Sequence, residues 1–170
     1  MTSTVALSFV QSGTTVQFLD IDGTGGDTHT VTGVTGAAAV TIEVDAMDGS
    51  TNDTIKAVNF ATVNFNQASN TLSGASAASA IADLDTGSAT TLNISAKDNA
   101  LTLDDLSTAA LTGLVVSGST DVTISAGGAT TIKTITAATL DATNNAAELV
   151  LGTGSAIFAR ATDAVITGSD

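Results

Sequence analysis

Cysteine, proline, tryptophan and tyrosine are absent from this 170-residue chain, and phenylalanine occurs only five times. Without cysteine there are no disulfides and no thiolate metal sites, so stabilisation beyond a hydrophobic core has to come from elsewhere, bound metal included. Without Trp or Tyr the chain makes a poor platform for gripping a sugar, and its 43% hydrophobic content is mostly Val, Ile, Leu and Ala. Positive charge is almost as scarce. Lys56, Lys97, Lys133 and Arg160 stand against 17 acidic residues, a net charge of −13. None of the four cations cluster with another, which excludes nucleic acid as a partner, because phosphate binding needs grouped Lys and Arg. The start, "MTSTVALSFVQSG", has neither a basic leader nor a long apolar run. It reads as neither a signal peptide nor a membrane span, so no membrane insertion is expected, and export would use another signal.

What is present is small and repetitive. Thr and Ala supply about thirty residues each, beside 16 Gly, a usage that favours thin, repetitive β structure. Strict alternation of apolar and polar residues recurs along the chain, the pattern of half-buried strands. Val5, Leu7 and Phe9 alternate with small residues, and "QSGTT" then leads into Val16 and Phe18, which reads as a hairpin. In "AVNFATVNF" Val58 and Phe60 share one face, and Val63 and Phe65 resume after a slip that implies a bulge or corner. Residues 66–90 are dominated by small side chains and read as a connector, with Ala78, Ile81, Ala82 and Leu84 spaced for a short helical turn. Residues 91–170 return to short strands separated by Gly, Ser, Asn and Asp. Two series, Ile94, Val115, Ile135, Ile157 and Leu103, Ile124, Leu149, Ile166, recur with a loose period near 20. That is the period of a parallel β-solenoid, in which each coil buries its inner face only against its neighbours. The expected fold is therefore all-β: a parallel β-solenoid over 91–170, with residues 1–65 either continuing it or forming a separate antiparallel sandwich-like part.

Two acidic stretches carry the candidate chemistry. "LDIDGTGGDTHTV" offers Asp20, Asp22 and Asp27 among glycines, and "DAMDGSTND" offers Asp45, Asp48 and Asp53. Calcium takes six to eight hard oxygen ligands from flexible loops, and Asp alternating with Gly supplies them. The competing reading of each stretch is a solvated polar turn. Position twelve counted from Asp20 is Val31, so the first is not an EF-hand loop. Self-repulsion at −13 strengthens the case for a bound cation. Catalytic readings are poor. His29 is the single histidine, a Cys-His pair is impossible, and a Ser-His-Asp triad would need this residue, read as a loop histidine, as its base. Paired carboxylates for glycoside hydrolysis lack an aromatic cleft, and a β-helical lyase would need a base beside its calcium, where Arg160 stands alone.

Within residues 78–126, the run A-T-T-L-N-I-S followed by A-A-L-T-G-L-V-V-S-G-S resembles the Thr/Ala/Gly-rich solenoid of alphaproteobacterial, Caulobacter-type RTX surface-layer (S-layer) proteins. The closing "DAVITGSD" looks like the lead-in to a calcium-binding nonapeptide, although no complete G-G-x-G-x-D repeat is present. The resemblance implies a right-handed β-solenoid, type I secretion and an extracellular lattice on the cell surface assembled with calcium. The expected function is accordingly structural and non-enzymatic: a segment that assembles with identical chains, with cell-surface polysaccharide as a further candidate partner. The alternative is a binding module of a large RTX adhesin.

Overall fold

The computed structural model describes residues 4–19, 26–68, 77–108, 110–124, 139–145, 149–151 and 165–167. They form strands β1 (Ala6–Val10), β2 (Thr14–Leu19), β3 (Thr28–Asp45), β4 (Asp48–Gln67), β5 (Ser79–Gly87), β6 (Thr91–Ala96), β7 (Leu101–Leu103), β8 (Leu106–Thr108), β9 (Gly113–Gly118), β10 (Val122–Ile124), β11 (Thr139–Asn145), β12 (Leu149–Leu151) and β13 (Val165–Thr167). Every pairing is parallel. The chain is a β-solenoid with three stacked faces. One stacks β2, the second half of β3, the second half of β4, β6, β9, β11 and β13. Another stacks β1, β3, β4, β5 and β8. The third stacks the starts of β4 and β5 with β7, β10 and β12.

Alternation decides which side chains enter the solenoid, and parallel register then stacks them on their counterparts one coil away, about 4.8 Å distant. Val16, Ile42, Phe65, Ile94 and Val116 form one inward column. Val40, Val63, Leu92 and Leu114 form the next. On the other faces Ile55, Leu84 and Leu106 align, as do Ile81, Leu103 and Ile124. These residues belong to one continuous buried cluster. Each fully buried aliphatic side chain contributes roughly 1.5–3 kcal/mol of hydrophobic stabilisation.

The abundant hydroxyls close the corners. Thr90 Oγ1 donates to Ala61 O (3.2 Å), Thr112 Oγ1 to Thr90 O (3.0 Å) and Thr120 Oγ1 to Asn99 O (2.7 Å). Ala61 O and Thr90 O also accept from backbone N–H groups of the next coil, so there the hydroxyl adds a further bond where the chain bends. Outward rows also bond along the stack: Asn93 Nδ2 donates to Asn64 Oδ1 (2.7 Å) and Asn64 Nδ2 to Thr41 Oγ1 (3.4 Å).

Several expectations change. The "QSGTT" turn exists, with Thr14 N donating to Gln11 O (3.3 Å) and Gly13 at φ +81°. It makes no hairpin, because β1 and β2 each pair with β3 and lie on different faces. The N-terminal strands therefore join the parallel stack instead of forming an antiparallel sandwich. The slip near residue 60 is a corner: Asn59 has φ +67°, Ala57 and Phe60 point inward, and Val58 is half-buried. The helical spacing at 78–84 is a strand, β5, bent between the inward Ile81 and Leu84. The coil length is uneven, from 21 residues between stacked neighbours such as Asn99 and Thr120 to 32 between Met47 and Ser79. Consequently Ile94 meets Val116 instead of Val115. Leu103 meets Ile124 as expected, but Ile124 meets Leu151 instead of Leu149, and Ile166 meets Leu140. Ile135 and Ile157 lie outside the described residues.

Candidate functional site

Of the six candidate ligands, Asp20 and Asp22 lie outside the described residues, and the side chain of Asp48 does as well. The backbone of Asp48 opens β4 opposite Ala80. The other three are interior. Asp27, Asp45 and Asp53 are at most 3% exposed, although both stretches read as calcium loops or solvated turns. Counting by twos back from the buried Val31 puts His29 and Asp27 on the inward face, and the same count from Ile55 reaches Asp53. That parity was the signal available in the sequence.

The structure regroups the two acidic stretches. Asp27 and Asp53, one from each, stack in adjacent coils: Asp27 N donates to Asp53 Oδ1 (2.9 Å), and Thr54 N donates to Asp27 O (2.8 Å). Asp53 therefore caps the coil beside it, which is how a buried carboxylate offsets part of its desolvation cost. Its Oδ2 is buried without a hydrogen-bond partner.

Asp45 sits at the end of β3 and works differently. Its Oδ1 accepts from Gln67 Nε2 (3.2 Å) and from Ala77 N (3.2 Å), and the same Gln67 amide also donates to Ala77 O (3.0 Å) and Ala68 O (3.3 Å). Nearby, Ser79 Oγ accepts from Met47 N (3.2 Å). Together these bonds latch the end of β3 to the end of β4 and the start of β5. Counting by twos from Val63 and Phe65 also reaches Gln67, a polar residue at an inward position. Among the described residues no group of three or more His, Asp or Glu side chains is placed to hold a metal ion.

His29, expected in a loop, is a strand residue sealed in the core. It is fully buried, its ring centroid lies 5.3 Å from that of Phe18, and neither ring nitrogen has a hydrogen-bond partner. Buried polar atoms without partners cost about 1–3 kcal/mol. Replacing His29 by leucine is therefore expected to stabilise the fold by about 1 kcal/mol, or roughly 2–4 °C in Tm. A urea melt showing marked destabilisation would reveal a partner for the imidazole.

On the outer surface, Lys56 Nζ contacts Asp85 Oδ2 at 2.7 Å, and Ser107 Oγ donates to Asp83 Oδ1 (2.9 Å). The hydrogen bond to Asp85 and then its charge raise the Lys56 ammonium above the ordinary lysine value of 10.5, while partial burial opposes this and Asp83 adds to it. The pair is substantially exposed, so Lys56→Ala is expected to cost less than about 1 kcal/mol. That contribution is complete below the unfolded lysine value and lost as pH rises through the elevated folded one. Denaturant midpoints of wild type and variant should therefore converge at strongly alkaline pH and in high salt.

Two open surface grooves lie among the described residues. One, of about 380 Å³, runs past Gln17, Glu43, Asn66, Ser95, Lys97 and Asp98. The other, of about 550 Å³, lies beside Ala37, Asn59, Phe60 and Thr90. In the first, Gln17 Nε2 donates to Glu43 Oε2 (2.7 Å), so its polar groups partly satisfy one another. Compared with protein-family models, curated proteins and solved structures, the chain matches none.

Proposed function

We propose that this chain is a structural segment of a secreted surface layer, a non-enzymatic solenoid that assembles with identical chains at the cell surface and is stabilised by calcium. The observation that carries this reading is the pairing of a repetitive parallel solenoid with 17 carboxylates against four cations. Such a stack supplies long, regular faces of short polar side chains, suited to lateral and end-on contact between copies. Its charge opposes close packing until a cation screens it.

The carboxylates of Asp45 and Asp53 accept from backbone and amide N–H groups, and Asp27 meets Asp53 through its own backbone N–H. The calcium is therefore assigned chiefly to carboxylates at the surface and to Asp20 and Asp22, where ions would also bridge chains. On this reading a chelator lowers Tm by several degrees and disperses assemblies into smaller species. Calorimetry and light scattering with and without calcium provide the test, and unchanged Tm together with unchanged particle size would remove calcium from the proposal. Imaging of the calcium-loaded protein separates a lattice, seen as ordered sheets, from an adhesin module, seen as dispersed monomers that bind a surface ligand.

A further inference from the structure

The first 19 residues contain no charged side chain, although the chain carries 21 charges and the first of them is Asp20. These residues build β1 and β2, which stand at one end of the stack and pair only with β3. Natural proteins protect such edges with Lys, Pro, inward-pointing charge or β-bulges. Neither strand has a charge or a proline; β1 is interrupted by a register shift between Leu7 and Val10, which brings Phe9 into the left-handed region (φ +61°) and leaves it 81% exposed, whereas β2 pairs with β3 in unbroken register and has none of these protections. Leu7, stacked on the buried Val31, is 38% exposed because no further described strand covers it.

We propose that the charge-free strands β1 and β2 are the docking edge for a second copy of the chain, with the β2 strands of two copies pairing antiparallel across a two-fold axis. Two considerations favour a copy over other occupants. In a chain of −13, contacts between most surfaces of two copies oppose carboxylates, whereas a contact between the β1 and β2 strands of two copies opposes none. An uncharged edge also offers a charged partner nothing to pair with, while an uncharged strand of the same kind satisfies it by main-chain hydrogen bonds, and an isologous contact makes one such strand sufficient. Its place in a lattice rests on the self-assembly reading above; the pairing itself rests on the edge. The contact is small, so the expected dimer is weak, at the low end of specific interfaces.

Sedimentation equilibrium of the intact chain in chelator, from micromolar to about millimolar concentration, is the first measurement. Wild type is expected to show a reversible monomer–dimer equilibrium, with amide-exchange protection of residues 14–19 rising with concentration. Thr15→Lys, which places a charge on the outer face of β2, is expected to abolish the dimer even though it reduces the net charge. Phe9→Asp should do the same by an independent route, and Thr62→Lys, on the same face but away from the edge, should leave the dimer intact. Circular dichroism establishes that each variant is folded. A wild type that stays monomeric, or a dimer that survives both Thr15→Lys and Phe9→Asp, overturns the proposal. Imaging with calcium tells its failure from that of the lattice. Sheets formed equally by wild type and Thr15→Lys would leave the lattice standing without this contact, and dimers in chelator without sheets in calcium would do the reverse.

Discussion

Gly118→Ala should be among the most damaging single-methyl changes in the chain, destabilising it by at least about 3 kcal/mol. Gly118 ends β9 at φ +135°, packed on the backbone of Ala96 in the preceding coil. A Cβ built there would lie 1.9 Å from Ala96 O and 2.6 Å from Ala96 C. No side-chain rotation relieves a clash with backbone, so β6 and β9 would have to separate at that corner. Gly36 supplies the comparison. It also has positive φ, +79°, but nothing lies within 4 Å of its missing Cβ. Gly36→Ala therefore isolates the conformational penalty, about 1–2 kcal/mol, and the excess in Gly118→Ala measures the closeness of the coils. Urea denaturation of the two variants checks this, and near-equal losses would mean that the backbone approach at Gly118 is looser than 1.9 Å implies.

The same closeness explains what the sequence disclosed and what it hid. Alternation located the strands at Val16, Phe18, Val63 and Phe65 because inward and outward positions differ sharply in polarity. It did not reveal their partners. Parallel strands in most folds are covered on both faces and read as continuous apolar runs, while one-sided alternation is the habit of antiparallel hairpins. A solenoid breaks that association, since each strand buries one face and wets the other, and so β1 and β2 looked like a hairpin. Corners misled in another way. The inward residues Ile81 and Leu84 are three apart because the strand bends between them, and a spacing of three imitates a helix. The acidic stretches were the hardest to place. Asp and Gly together suggest a wet loop, yet Asp27, Asp45 and Asp53 are inward residues, and the carboxylates of Asp45 and Asp53 bond to backbone N–H groups or to Gln67. Strand parity carried from Val31 and Ile55 would have turned Asp27 and Asp53 inward, whereas Asp45 is buried directly after the buried Val44 and breaks the alternation, and composition pulled the other way.

Phe65→Ala is expected to cost about 3–5 kcal/mol, a large fraction of the 5–15 kcal/mol that holds a typical domain together. Phe65 is fully buried in the middle of the stack, paired through β4 with Ile42 on one side and Ile94 on the other. Alanine there removes the contact between three successive coils at once, and Ile42 and Ile94 cannot close the gap because their strands are held by their own ladders. The consequence goes beyond lost stability. A solenoid is held together by nearest-neighbour interfaces, so weakening one central interface lowers the coupling between the parts on either side. Unfolding of the variant should therefore lose its single transition: amides around Val40 to Val44 and around Leu92 to Ile94 should exchange with different free energies, where in wild type they exchange together. Phe9→Ala is the matched control, the same deletion at a residue 81% exposed, and at concentrations where the chain is monomeric it should change stability by no more than about 0.5 kcal/mol. A cost for Phe65→Ala as small as that of Phe9→Ala would show that the central column does not carry the stack. A large cost with one undivided transition would show that the ladders of the three faces, and not this column, keep the coils cooperative.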